Sequence, residues 1–263
     1  MTSSAPTPQV LRRLAATPRL LVCCDFDGTL SHLVDHPEAA RPVPGAVAVL
    51  DALSALPDTW AAVISGRELS VLAPLAAMPA HVQLVGSHGT EFEPGVIATL
   101  GPQERRLLSE VVAQCEAIAA GTPGTLVESK PASVAVHVRN VPRGQVEGIL
   151  SRIRGGPGSV PGVHVIEGKE VVELGVVRGG KDGAVDALRS RWAATAAMFV
   201  GDDVTDEAAL AALSEGDVGV KVGAGETQAR WRVGDPDDVV MLLSELLELR
   251  RAATASVPEG GAG

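Results

Sequence analysis

Residues 20–24, Leu-Leu-Val-Cys-Cys, form an unbroken apolar run that stops at Asp25. A run of this length, closed by a turn signal, predicts a strand buried on both faces. The pattern recurs in TWAAVISGR, VQLVGSHGTEF, AAMFVGDD and DVGVKVG. Between these runs lie helical patterns: PGAVAVLDALSAL, RELSVLAPLAA, KDGAVDALRSRW, TDEAALAAL and DDVVMLLSELLELRRAA. Apolar strands alternating with helices are the signature of a parallel sheet covered on both faces.

The middle of the chain is patterned differently. PQERRLLSEVVAQCEAIAA is an amphipathic helix, and TLVESK and SVAVHVRN alternate apolar with polar, as half-exposed antiparallel strands do. QVEGILSRIR predicts another helix, and VHVIEGKEVVELG a hairpin. The reading is an α/β protein with a doubly wound, Rossmann-like core in two parts, residues 1–102 and 178–263, around an inserted α+β cap at 103–177. A loose arm and short helix precede the first strand, and VPEGGAG predicts a flexible tail.

Composition narrows the function. With 46% hydrophobic residues but 2% aromatics and no tyrosine, the core has to be aliphatic. A net charge of −10 argues against nucleic-acid partners. It also means that an anionic substrate needs cations gathered locally. Cys23, Cys24 and Cys115 lack zinc or redox spacing and read as small buried hydrophobes of a reducing cytoplasm. The first twenty residues carry three arginines and no signal-peptide core, and no apolar stretch reaches the roughly 18 residues of a membrane span.

In open parallel sheets, ligands bind beyond the carboxyl ends of the strands. Asp25-Phe-Asp27-Gly-Thr29, Ser65-Gly66-Arg67 and Gly201-Asp202-Asp203-Val-Thr-Asp206 all follow predicted strands, and Lys181 opens a helix. Five carboxylates can therefore converge with Arg67 and Lys181. Crowded carboxylates need a hard cation such as Mg²⁺, and cation, lysine and arginine together form a phosphate pocket. Asp25 and Asp27 can then divide the work as nucleophile and general acid/base. Gly28 permits a tight turn, and Thr29 and Ser65 supply hydroxyl donors.

These motifs, in this order and with spacings of 40, 116 and 21 residues from Asp25 to Ser65, Lys181 and Asp202, resemble the haloacid dehalogenase (HAD) superfamily of aspartate-nucleophile phosphatases. ISGR, GSHG, ESKPASVAVHVR, EGKEVVEL, FVGDDVTDE and GVKVG extend the likeness over most of residues 20–247 to the trehalose-6-phosphate phosphatases. The resemblance implies that Asp25 is the nucleophile and Asp27 the general acid/base. It implies Mg²⁺ on the Asp25 carboxylate, the Asp27 carbonyl and Asp202, supported by Asp203 and Asp206. Thr29, Ser65, Gly66, Arg67 and Lys181 would hold phosphate. His88, Glu128, Lys130, His137, Arg139, Glu167 and Glu173 are candidates to read sugar hydroxyls, the cap closing over the disaccharide. Phe26 stands where tyrosine is also usual, and a flexible Gly pair precedes Lys181.

Plainer readings stand beside these. Asp25 and Asp27 also suit a helix cap and a turn. Asp203 or Thr205 suits an N-cap, with Asp206 and Glu207 complementing a helix dipole. Glu128 with Lys130, and His137 with Arg139, also suit solvated or cross-strand ion pairs. Lys181 at a helix start is unfavourable unless an anion is near. Alternatives are a HAD phosphatase for sucrose phosphate or glucosyl- or mannosylglycerate phosphate, a phosphomutase, and a sugar-phosphate sensor without turnover. The partner expected is a small sugar phosphate, with no membrane; the oligomeric state is left open.

Overall fold

The computed structural model describes residues 4–255 except 94–95, 98–99, 131 and 178. The predicted tail VPEGGAG lies outside the described residues. The first half runs α1 (Pro8–Ala15), β1 (Leu20–Cys24), α2 (Ala46–Ser54), β2 (Thr59–Ile64), α3 (Leu69–Ala76), β3 (Gln83–Val85), β4 (Glu91–Glu93), β5 (Val96–Ile97) and α4 (Pro102–Ala120). There follow β6 (Leu126–Ser129), β7 (Ser133–His137), α5 (Arg143–Gly155), β8 (His164–Gly168) and β9 (Val171–Gly175). The chain closes with α6 (Lys181–Trp192), β10 (Ala196–Gly201), α7 (Glu207–Ala212), β11 (Val218–Val222), β12 (Trp231–Val233) and α8 (Pro236–Ala255).

Contacts divide the chain into two units, Met1–Phe92 with Lys181–Gly263, and Glu93–Gly180. The first holds a six-stranded sheet of order β12-β11-β10-β1-β2-β3, parallel throughout. All five residues of β1 are buried because helices cover both faces. Leu20, Val22 and Cys24 join the core under α1, α2, α3 and α8, while Leu21 and Cys23 face α6 and α7. The two-residue period of a strand thus feeds two cores from one apolar run. From β1 the chain winds one way to β2 and β3, and later the other way from β10 to β12. The strand order reverses between β1 and β10, which places the binding crevice of such a sheet at their carboxyl ends.

The second unit has an antiparallel sheet, β6-β7-β9-β8. Val134, Val136, Val172 and Leu174 pack on Val111 and Cys115 of α4 and Ile149 and Ile153 of α5. By register, Glu128, Ala135, Glu173 and Ile166 sit side by side on the other face. β4 and β5 form a two-stranded sheet of their own. All three cysteines are buried and free, as their spacing predicts. Among the described residues no helix is long and apolar enough to cross a membrane.

Candidate active site

The site grows from the end of β1. The Asp25 N–H still donates to Val200 of β10 (2.9 Å), so its side chain is fixed by the sheet ladder. The chain then turns sharply, with the Leu30 N–H on the Phe26 carbonyl (2.9 Å) and the Gly28 N–H on that of Ser31 (2.7 Å). Gly28 is left-handed (φ +80°), and a Cβ there would lie 2.0 Å from Asp202 Oδ2. Glycine is thus required twice, for the turn and for the close approach of the Asp202 carboxylate.

One carboxylate oxygen from each of Asp25, Asp202 and Asp206 lies within 4.8 Å of the others. Asp25 and Asp206 are buried and Asp202 is half-buried. Lys181, 2% exposed, stands between two of them, its Nζ 2.7 Å from Asp25 Oδ1 and 2.6 Å from Asp206 Oδ1. The first residue of a helix is a poor place for a cation, and here two anions reverse that. Burial pushes the Asp25 carboxyl well above its usual range; Lys181 pulls it down, while Asp206 and Asp202 push it further up. Asp202 is raised to about 6 by burial and by the charges of Asp206 and Asp203, against the pull of Lys181. Burial alone would lower the Lys181 ammonium, but Asp206 and Asp25 raise it above its ordinary value.

Three acids around one lysine leave negative charge over. Asp202 Oδ1 is buried without a hydrogen-bond partner. An all-oxygen donor set with an orphaned carboxylate oxygen fits a hard divalent cation. Thr29 Oγ1 is likewise buried and unpartnered.

The end of β2 supplies Ser65, 1% exposed, whose Oγ accepts from the Arg67 N–H (3.2 Å). The loop after β3 wraps this turn. Ser87 donates to the Arg67 carbonyl (2.7 Å) and His88 to that of Ser65 (3.0 Å). Ser87 and His88 are left-handed, at φ +49° and +52°. A Cβ at Gly66 would lie 2.5 Å from His88 Cε1, so a side chain there would have to displace the histidine ring. Arg67 grips Asp27 with two hydrogen bonds, Nε to Oδ2 at 2.7 Å and the second guanidinium nitrogen to Oδ1 at 2.6 Å. Its guanidinium carbon lies 5.9 Å from the Phe26 ring centroid.

The first unit therefore gathers Asp25, Asp202, Asp206 and Lys181 into one cluster. Asp27 and Arg67 form a pair, and Ser65, Gly66 and His88 a neighbouring turn. Asp203 stands outside the triad; its N–H donates to Asp206 Oδ2 (2.9 Å) at the start of a short helical turn, so Asp206 both caps that turn and meets Lys181.

In the second unit the candidates separate. His137 Nε2 meets Glu128 Oε2 at 2.8 Å across the strands, and the hydrogen bond from His137 lowers the Glu128 pKa. Lys130 donates to Glu173 (2.8 Å), which also accepts from Ser133 Oγ (2.6 Å), and all three are buried. Glu167 belongs to the opposite sheet face and is held by Arg154 of α5 at 2.7 and 3.1 Å. Arg139 is exposed and pairs with Glu170 (3.2 Å).

Two residues passed over in the sequence belong here. Lys221 of β11 is 4% exposed and donates to the carbonyl of Asp202. Glu91 is 4% exposed and accepts from the Leu69 N–H (2.7 Å) at the start of α3. The signal for Lys221 was a charge near the end of the apolar run Val218–Val222, the same signal that marks Asp25.

The profile of the trehalose-phosphatase family matches residues 23–237. A trehalose-phosphate phosphatase of Mycobacterium ulcerans is 34% identical over 223 residues, 80% of this chain and 55% of that protein. One of Mycobacterium avium is 36% identical over 213 residues, 74% of this chain and 51% of that protein. The chain thus spans about half the length of these relatives. The structure of the Candida albicans trehalose-6-phosphate phosphatase C-terminal domain superposes with a TM-score of 0.78 at 22% identity, covering 94% of this chain and 98% of that one. At that identity the likeness speaks for the fold alone, which is also similar to that of a HAD-superfamily sugar phosphatase, at 15% identity and a TM-score of 0.61.

Proposed function

We infer the function from the family: this chain belongs to the trehalose-phosphatase family, and we read it as an Mg²⁺-dependent phosphatase that hydrolyses trehalose 6-phosphate to trehalose and phosphate. The observation that carries this reading is the buried Asp25, held 2.7 Å from Lys181 at the switch point of the sheet, with a second aspartate two residues on. A carboxylate so placed has one oxygen committed to a cation and the other available for attack.

In this reading Asp25 attacks phosphorus and forms an aspartyl phosphate, and the sugar oxygen leaves. Asp27 gives that oxygen its proton, then takes one from the water that cleaves the acyl phosphate. Arg67 engages both Asp27 oxygens, so one of these hydrogen bonds has to open for Asp27 to carry and give that proton. Lys181 lowers the cost of the Asp25 charge, and with Ser65, Gly66 and Thr29 it holds the phosphoryl oxygens. Asp25, Asp202 and Asp206, with the Asp27 carbonyl, would hold the divalent ion, and Asp203 supports from outside. When bound, the ion neutralises charge on the phosphoryl group.

The second unit supports the sugar half of the proposal. Glu128, His137, Lys130 and Glu173 offer charged donors and acceptors on one strand face, and we assign them to sugar hydroxyls. His88 is assigned to the same task from the first unit. Glu167 is the weaker member because the register puts it on the opposite sheet face, beside Arg154, and Arg139 lies beyond the end of β7, paired with the exposed Glu170. A reducing cytoplasm suits the three buried free cysteines.

The test is phosphate release from a panel of sugar phosphates, with Mg²⁺ and with EDTA. Preference for trehalose 6-phosphate that is lost in EDTA is the expected result. Mg²⁺-dependent release from another sugar phosphate would keep the core chemistry and discard the sugar assignments. No release from any member would discard the phosphatase.

A further inference from the structure

Lys221 is a buried cation that the reaction does not use. It lies on β11 beside Gly201, its register partner at the end of β10. Its ammonium donates to the carbonyl of Asp202, reaches that of Asp203 at 3.5 Å, and pairs with Glu207 Oε1 at 3.3 Å. Two of its three donors meet carbonyls, and its charge faces Glu207 Oε1, which makes no hydrogen bond of its own. Glu207 is anchored in turn, its other oxygen accepting from Thr227 Oγ1 (3.1 Å) and the Gln228 N–H (2.7 Å) of the loop between β11 and β12.

The placement has a physical purpose. Beyond Gly201 the strand ladder ends, so the carbonyls of Asp202 and Asp203 lose their sheet partners. The orientations of these two peptide planes decide where the two side chains point. Room for the Asp202 carboxylate is tight: a Cβ at Gly28 would lie 2.0 Å from its Oδ2. Like charges within 4.8 Å of one another also push the loop open. A cation pinned to the backbone of that loop opposes the opening without occupying a place among the donor oxygens.

We propose that Lys221, braced by Glu207, is a positioning residue that holds the Asp202–Asp203 backbone so that Asp202 is preset for the divalent ion. The proposal rests on the metal site of the preceding reading. Lys221 itself touches neither ion nor substrate.

The experiment is a Mn²⁺ titration followed by electron paramagnetic resonance on the whole chain stripped of metal, in wild type, Lys221→Met, Glu207→Gln and Arg250→Met. Residues that orient metal ligands typically change affinity by about 10- to 100-fold when removed. Lys221→Met is expected to lose Mn²⁺ affinity in that range, with KM for the sugar phosphate at saturating Mn²⁺ within about twofold of wild type. Glu207→Gln should lose roughly threefold or more, since the lysine keeps its carbonyls but loses its charged brace. Arg250→Met, altered at the other end of the sheet, should bind Mn²⁺ as wild type does, which separates positioning from general loosening. Wild-type affinity in Lys221→Met would overturn the proposal, as would an equal loss in Arg250→Met. If Lys221→Met does not fold, Glu207→Gln decides by the same measure. Failure of the wild type to bind Mn²⁺ would instead overturn the metal site beneath the proposal.

Discussion

The two ends of the parallel sheet each bury a strong cation, and they treat it in opposite ways. At the amino end, Arg250 of α8 is 3% exposed. Its guanidinium donates to Thr59 Oγ1 (2.9 Å) and to the carbonyls of Ala15 (2.9 Å), Thr17, Pro18 (3.2 Å) and Asp58 (3.0 Å). Those carbonyls end α1 or lie just before β1 and β2, so one side chain ties four elements together. At the carboxyl end, Lys181 faces carboxylates that outnumber it, and Asp202 Oδ1 and Thr29 Oγ1 are left without partners. Full satisfaction marks a structural device, and buried polar groups left short mark a place built for something else. Charge at the amino end follows the same rule, since Asp217 meets Arg189 and accepts from the N–H groups of Ala197 and Ser214, both at 2.8 Å.

The largest effect is expected where the contrast is sharpest. Asp25→Asn should lower kcat/KM by on the order of 10⁴-fold or more, about 5.5 kcal/mol, because an amide cannot attack phosphorus. Folding stability should change by no more than about 1 kcal/mol, since Lys181 keeps Asp206 and one of the mutually repelling charges is gone. Phosphate release and denaturant unfolding read the two quantities separately. Retained turnover would remove Asp25 as nucleophile.

Arg250→Met tests the other end. It leaves several buried carbonyls without a donor, and each such group costs about 1–3 kcal/mol unless water reaches it. A net loss of about 3 kcal/mol in unfolding free energy is expected, with kcat unchanged. A loss of kcat without loss of stability would break the division of the two ends.

The same contrast explains what could be read from the chain alone. Apolar runs such as Leu20–Cys24 and Ala196–Gly201 announced the parallel sheet because burial on both faces removes any alternation. Asp25 and Asp202 stood out because a charge at the end of such a run is expensive without a reason, and Lys181 because a cation at a helix start is unfavourable without an anion near. Arg250 did not, because on a helix rich in charged residues it looks like any solvated arginine; its burial depends on carbonyls from residues more than 190 positions away. The split between Glu128 and Glu167 was also hidden. Both are polar residues in alternating strands, and only the register shows that Glu167 sits beside Val172 on the helix-covered face. The grip of Arg67 on Asp27, 40 residues apart, is a tertiary fact that spacing cannot supply.

A smaller effect is expected from pH in metal-free protein. The folded Asp202 carboxyl titrates at about 6, against roughly 4 for an unperturbed aspartate. Between those values the native state holds a proton that the unfolded chain has released, so stability falls as pH rises through the window. Asp25, raised by burial, acts in the same direction. A decline of about 2 kcal/mol from pH 4 to above 6 in EDTA is expected. Mg²⁺ should remove the decline, because a cation among the carboxylates does what the proton did. A flat profile in EDTA would mean that the acids of this end are as well satisfied as Arg250 is at the other.

The smallest effect divides the carboxyl end itself. Asp202 and Asp203 are adjacent, yet only Asp202 belongs to the triad; Asp203 is half-buried and contributes its backbone N–H to Asp206. A backbone donor survives substitution, and a charge outside the cluster and partly in water is worth about 0.5–1 kcal/mol to the site. Asp203→Asn is therefore expected to weaken Mn²⁺ binding by about threefold, and Asp202→Asn, which takes an oxygen from the donor set, by far more. Comparable losses in the two variants would make Asp203 a ligand in its own right. The unsatisfied end of the sheet would then hold one more group built for the ion, and the order of the acids along GDDVTDE would count for less than their number.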